Sequence, residues 1–142
     1  MEVAREAASL AILVSAAWLS GRRRMERFGA FLFLFGVWDL VYYGALKLVL
    51  GWPARLSDWD VLFLIPAVWT APVWAPMAVA VVLAAAGSFL YLDGARTRSY
   101  SVSEWAVEAA AGALVVASFL ANAGTVARGG TPSSFPAGLL GA

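Results

Sequence analysis

The sequence predicts an all-α, polytopic transmembrane bundle of four spans plus a proline-rich re-entrant or interfacial segment. Three observations carry that prediction. Hydrophobic residues make up 62% of the 142-residue chain and charged residues 13%, against roughly 45–50% and about 25% in soluble globular proteins. The mean hydropathy of +0.78 excludes a water-soluble monomer. The charges, ten basic and nine acidic, gather mainly at 2–6, 22–27, 55–60, 93–98 and 104–108. Between them run apolar stretches near the roughly 20 residues that a helix needs to cross a hydrocarbon core of about 30 Å.

The first span covers residues 4–20. Its leader, Met1-Glu2-Val3-Ala4-Arg5-Glu6, is acidic, whereas a cleaved signal peptide begins with a basic region. The basic cluster Arg22, Arg23, Arg24 and Arg27 lies on the far side. This predicts a retained anchor with the N-terminus outside and loop 21–27 in the cytoplasm of a multi-pass cell (inner) membrane protein.

The second span covers 28–50. Residues 59–92 are then almost free of charge, about 51 Å of chain if wound as one helix. Pro66, Pro72 and Pro76 interrupt this stretch, and each removes a backbone donor and disfavours helix just before it. Two arrangements follow. Residues 59–72 form a broken segment leading into a span at 73–92, or they cross by themselves and give five spans. Four spans place six of the ten basic residues in the cytoplasm and four outside, whereas five spans divide them equally, so the positive-inside rule favours four.

The last span covers 104–124. Ser101-Val102-Ser103-Glu104 has the spacing of a capping box, with Ser101 as N-cap. Residues 1–124 thus form one transmembrane domain, and 125–142, rich in Gly, Pro and Ser, form a flexible C-terminal tail. Small residues recur at four-residue spacing as Ala7/Ala11/Ser15, Ala80/Ala84/Ser88 and Ala109/Ala113/Ala117/Ala121. In lipid such rows let helix backbones approach closely, so each predicts a packing face.

The chain has no cysteine and no histidine. That excludes disulfides, thiolate chemistry, Cys/His zinc sites, imidazole-ligated haem and His-based triads. A net charge of +1 gives no basis for nucleic-acid binding. No P-loop or dinucleotide fingerprint is present. Asp93-Gly94-Ala95-Arg96 departs from the signature of CDP-alcohol phosphotransferases, since Leu90, Glu104 and Glu108 stand where that family has aspartates. No cofactor, resident metal or catalytic residue is expected.

Asp39 is the outstanding residue, because it sits at the centre of the second span. A carboxylate at the bilayer midplane costs about 2.5–3.5 kcal/mol, and such residues face a bundle interior with a partner or a function. Asp39, Tyr43 and Lys47 follow at i, i+4 and i+8, with Tyr42 and Trp38 beside them, so one helix face carries a polar ladder with aromatic neighbours. These five residues are the candidate ligand- or proton-binding site. Aromatic faces also stabilise organic cations. Lys47 reaches the membrane edge or pairs with an acid of the outer loop. In that loop, Asp58 and Asp60 with Arg55 suggest an ion-pair cap, and Ser57 or Asp58 a helix N-cap. Asp58, Asp60 and Glu108 are secondary site candidates.

The function expected from these features is a small non-catalytic membrane subunit, self-assembling or accessory to a larger complex. Its partners are the lipid bilayer and copies of itself or other membrane subunits. The alternatives are a proton- or cation-coupled transporter or ligand-binding protein centred on Asp39, and a membrane-embedded lipid-modifying enzyme uniting Asp39, Asp60 and Glu108.

Overall fold

The structure is a computed structural model that describes residues 2–64, 67–93 and 101–130. Its elements are α1 (Glu2–Ser20), α2 (Arg24–Leu50), β1 (Trp59–Phe63), β2 (Trp69–Pro72), α3 (Trp74–Asp93), α4 (Val102–Leu120) and α5 (Ala123–Ala127). Four helices among the described residues are long and apolar enough to cross a membrane: those of α1, α2 and α3, and the stretch from α4 to Val126. They coincide with the four spans that the charge clusters delimit.

The helices begin and end where local chemistry dictates. Glu26 accepts from the backbone N–H of Arg22 (2.7 Å) and Arg23 (3.2 Å), tying the α1–α2 turn to the first turn of α2. Gly51 closes α2 in the left-handed region at φ 69°, and its N–H donates to the Lys47 carbonyl at 3.1 Å. That conformation suits glycine, which has no Cβ to crowd the preceding turn. Ser101 caps α4 as expected: the Glu104 N–H donates to Ser101 Oγ (3.2 Å), and the Ser101 N–H donates to Glu104 Oε2 (2.7 Å).

The described chain forms two compact units. One comprises α1, α2, the loop to Asp58 and α3; the other comprises the β1–β2 pair, α4 and α5. In the first unit, α2 packs on both α1 and α3. The α2–α3 contact is backbone against backbone. A Cβ on Gly29 would lie 2.5 Å from the Tyr91 nitrogen, one on Gly36 2.8 Å from the Ala84 nitrogen, and one on Gly87 2.6 Å from the Gly29 carbonyl oxygen. Gly29 and Gly36 are seven residues apart on α2, as are Ala80 and Gly87 on α3. Two antiparallel heptad-spaced rows of small residues therefore meet, an approach that only missing side chains permit. The expected Ala80/Ala84/Ser88 row lies in this contact region, with Ala80 buried.

Two other expected packing faces are different in the structure. Ala7, Ala11 and Ser15 are exposed. The buried residues of α1 are Glu6, Leu13 and Ala17, which share a face at i, i+7 and i+11. Leu13 offers apolar area that alanines do not, and it draws that side of the helix inward. Ala109, Ala113, Ala117 and Ala121 are also exposed.

Residues 59–72 correct the all-α expectation. Their described residues pair as antiparallel strands, Trp59 with Pro72, Asp60 with Ala71 and Val61 with Thr70, then Phe63 with Trp69 after an irregularity. Aromatic and β-branched residues favour a pleated strand, and Pro72 stands at the strand end, where no ladder donor is needed. The segment supplies no helical crossing, so the five-span alternative lacks its extra helix. Ser57 and Asp58 accordingly cap no helix. Within this second unit β2 packs on α4, and the rings of Trp69 and Phe119 lie 6.2 Å apart. Thr125, expected to begin the tail, lies within α5; residues 131–142 fall outside the described residues.

Candidate functional site

The candidate site lies on α2, and helix periodicity assembles its walls. Phe31, Phe35, Trp38 and Tyr42 recur at i, i+4, i+7 and i+11, with successive ring centroids 6.0 Å apart. Trp38 and Tyr42 stack at an interplanar angle of 19°. Tyr42 meets Tyr43 edge-on at 5.7 Å, and Tyr43 reaches Trp52 in the following loop at 6.3 Å. The result is an aromatic column along the helix. A cage for an organic cation needs ring faces that converge on one point, whereas Trp38 and Tyr42 present faces to each other.

Asp39 stands beside this column and is half-buried, while Tyr43, one turn on, is 3% exposed. Lys47 ends the ladder, with its Nζ donating to the Pro53 carbonyl at 2.7 Å and to the Gly51 carbonyl at 3.4 Å. It binds the backbone of the loop after α2, whereas the sequence alternatively suggests pairing with a loop acid. This suits a cation at a helix C-terminus, where carbonyls lack helical partners.

Asp58 ties the same loop together. Its Oδ2 accepts from the Arg55 N–H at 2.8 Å, its N–H donates to the Arg55 carbonyl at 3.0 Å, and its carbonyl accepts from the Val73 N–H at 2.9 Å. The carboxylate therefore closes the 55–58 turn, the role that an Asx side chain plays in turns generally, while the Asp58 backbone carbonyl ties that turn to the residue before α3. In the second unit, Asp60 lies on β1 with its Oδ1 accepting from the Val61 N–H at 2.8 Å. Glu108 is exposed on α4, where it shares an open depression with Ser103, Glu104 and Val107. Among the described residues, no three acidic side chains gather closely enough to hold a metal ion.

The residue that the sequence pattern hides is Glu6, which reads there as a marker of the membrane edge. It is 4% exposed, on the same face of α1 as Leu13 and Ala17. The short turn after Ser20 runs α2 back along α1. Glu6 lies fourteen residues before the end of α1 and Asp39 fifteen residues after the start of α2. At 1.5 Å per residue, both positions lie a little over roughly 20 Å along their helices from the turn that joins them. The detectable signal is this matched count on either side of the turn. Two further buried polar atoms, Thr70 Oγ1 and Asp93 Oδ2, have no hydrogen-bond partner among the described residues.

No protein family, curated protein or solved structure matches this chain.

Proposed function

We propose that the chain is a small, non-catalytic, multi-pass membrane protein that works as an assembly subunit, either with copies of itself or within a larger membrane complex. The supporting observation is the face of α4 that carries Ala109, Gly112, Ala113 and Ala117. All four residues are exposed, and a Cβ on Gly112 would meet nothing within 4 Å. Lipid tails gain nothing specific from such a row, while a neighbouring helix gains close backbone contact. The α2–α3 pair uses the same chemistry, with glycines in direct contact. In the proposed orientation the N-terminus is outside and loop 21–27 is cytoplasmic.

The absence of native cysteine makes the test direct. Single cysteines placed at 109, 112, 113 or 117 would carry a maleimide photo-crosslinker in native membranes, with Val107 and Ala111 as positions on the other side of the helix. The expected result is protein adducts from the first set and few from the second. Equal yields around the helix would refute the assignment.

One observation favours a second reading, a proton- or cation-coupled protein centred on Asp39: Glu6 is buried on α1, at a helical rise from the turn that matches that of Asp39 on α2. Two carboxyl groups at matching depth in an apolar helix pair are the groups that could bind and release a proton or a cation there. Proton uptake by reconstituted protein, lost in both Glu6→Gln and Asp39→Asn, would support this reading. Uptake indifferent to both substitutions would remove it.

A further inference from the structure

We infer that the turn between α1 and α2 is a binding site for the phosphate headgroup of an anionic phospholipid. The inference rests on the membrane reading above.

Residues 22–27 carry four guanidinium groups and one carboxylate. The carboxylate, Glu26, is engaged with the backbone N–H groups of Arg22 and Arg23. Arg27 is held in place: its Nε donates to the Gly21 carbonyl at 3.0 Å, and its guanidinium lies 3.9 Å from the centre of the Trp18 ring. Arg22, Arg23 and Arg24 are exposed in a row at the tip of the helix pair. A guanidinium presents a planar fork of donors that matches phosphate oxygens, so consecutive arginines suit that ligand better than scattered charge.

The surroundings of the turn distinguish a lipid from a free phosphate. Trp18 is 62% exposed and Leu19 85% exposed immediately before the turn, and Phe28 is exposed immediately after it. A basic row above exposed aromatic and aliphatic side chains complements an amphiphile, with phosphate on the arginines and acyl chain along Leu19, Phe28 and the side of Trp18 that Arg27 leaves open. Such basic clusters beside a span attract anionic headgroups, each arginine contributing about a fivefold gain in affinity.

The test uses the full chain in phosphatidylcholine vesicles containing traces of spin-labelled phosphatidylglycerol or spin-labelled phosphatidylcholine. The fraction of motionally restricted label reports lipid at the protein surface. Wild type is expected to select phosphatidylglycerol over phosphatidylcholine. The R22Q/R23Q/R24Q variant should lose most of that selection, up to about a hundredfold in relative association. R55Q/R128Q, which removes charge elsewhere, should keep it. Inorganic phosphate at matched ionic strength should not compete. Unchanged selection in the triple variant, equal loss in R55Q/R128Q, or full competition by inorganic phosphate would each overturn the inference. A chain that enters vesicles without selecting defeats the lipid site alone, whereas one that fails to enter them defeats the membrane reading with it.

Discussion

Replacing Gly36 by alanine should weaken this protein although alanine is the better helix former. The new Cβ would lie 2.8 Å from the backbone nitrogen of Ala84, well inside the roughly 3.5–4.0 Å of an optimal contact. The nearest obstacle is the Ala80 carbonyl oxygen, closer still than the Ala84 nitrogen, and helix backbone cannot swing aside as a side chain does, so α2 and α3 must separate by about 1 Å to reach that range. Overpacking of this kind costs about 1–3 kcal/mol, while the gain in helix propensity returns only about 0.5–1 kcal/mol. Gly87→Ala should behave alike, since its Cβ would meet the Gly29 carbonyl at 2.6 Å. Gly44 is the internal control, being on the same helix as Gly36 with nothing within 4 Å of where an alanine Cβ would stand; Gly44→Ala should be neutral or slightly stabilising. Unfolding in mixed micelles, titrated with a denaturing detergent and followed by circular dichroism, measures all three. If Gly36→Ala is as stable as Gly44→Ala, the glycine-to-backbone contact between α2 and α3 is wrong.

Other expectations follow from single side chains. Glu6→Ala should cost about 1–3 kcal/mol in the same titration, because it removes a buried polar group from its surroundings, whereas Glu108→Ala on the exposed face of α4 should stay within about 0.5 kcal/mol. Ser101→Ala should cost about 1 kcal/mol locally, visible as faster hydrogen exchange of the Glu104 and Trp105 amides. Lys47→Met removes the 2.7 Å bond to the Pro53 carbonyl. It should accelerate exchange at the Gly51 and Asp58 amides and leave α1 unaffected.

Helix positions were legible in the sequence because charge clusters and apolar run lengths report on them directly. The Ser101–Glu104 cap was legible for a related reason, since its two hydrogen bonds involve residues three apart. The strand pair was not. Prolines at 66 and 72 argue against helix, but strand pairing between Trp59 and Pro72 depends on a partner that local pattern does not reveal. Packing faces were legible only in part. Four-residue spacing identifies a row of small residues, yet it does not say whether a bulkier neighbour such as Leu13 turns the helix another way. Asp39 drew attention through its depth alone. Glu6 escaped it because a charge six residues from the N-terminus resembles a membrane-edge marker until the two helices are laid side by side.

The central claim, assembly through α4, is tested most directly by native mass spectrometry of the protein extracted in mild detergent, wild type beside Gly112→Leu. A Cβ there meets nothing within 4 Å among the described residues, so the fold should survive. The expected wild-type mass exceeds the 15.0 kDa of one chain, as a multiple of it or with an added subunit, and the variant falls to a single chain. Wild type and variant both at 15.0 kDa would contradict the account.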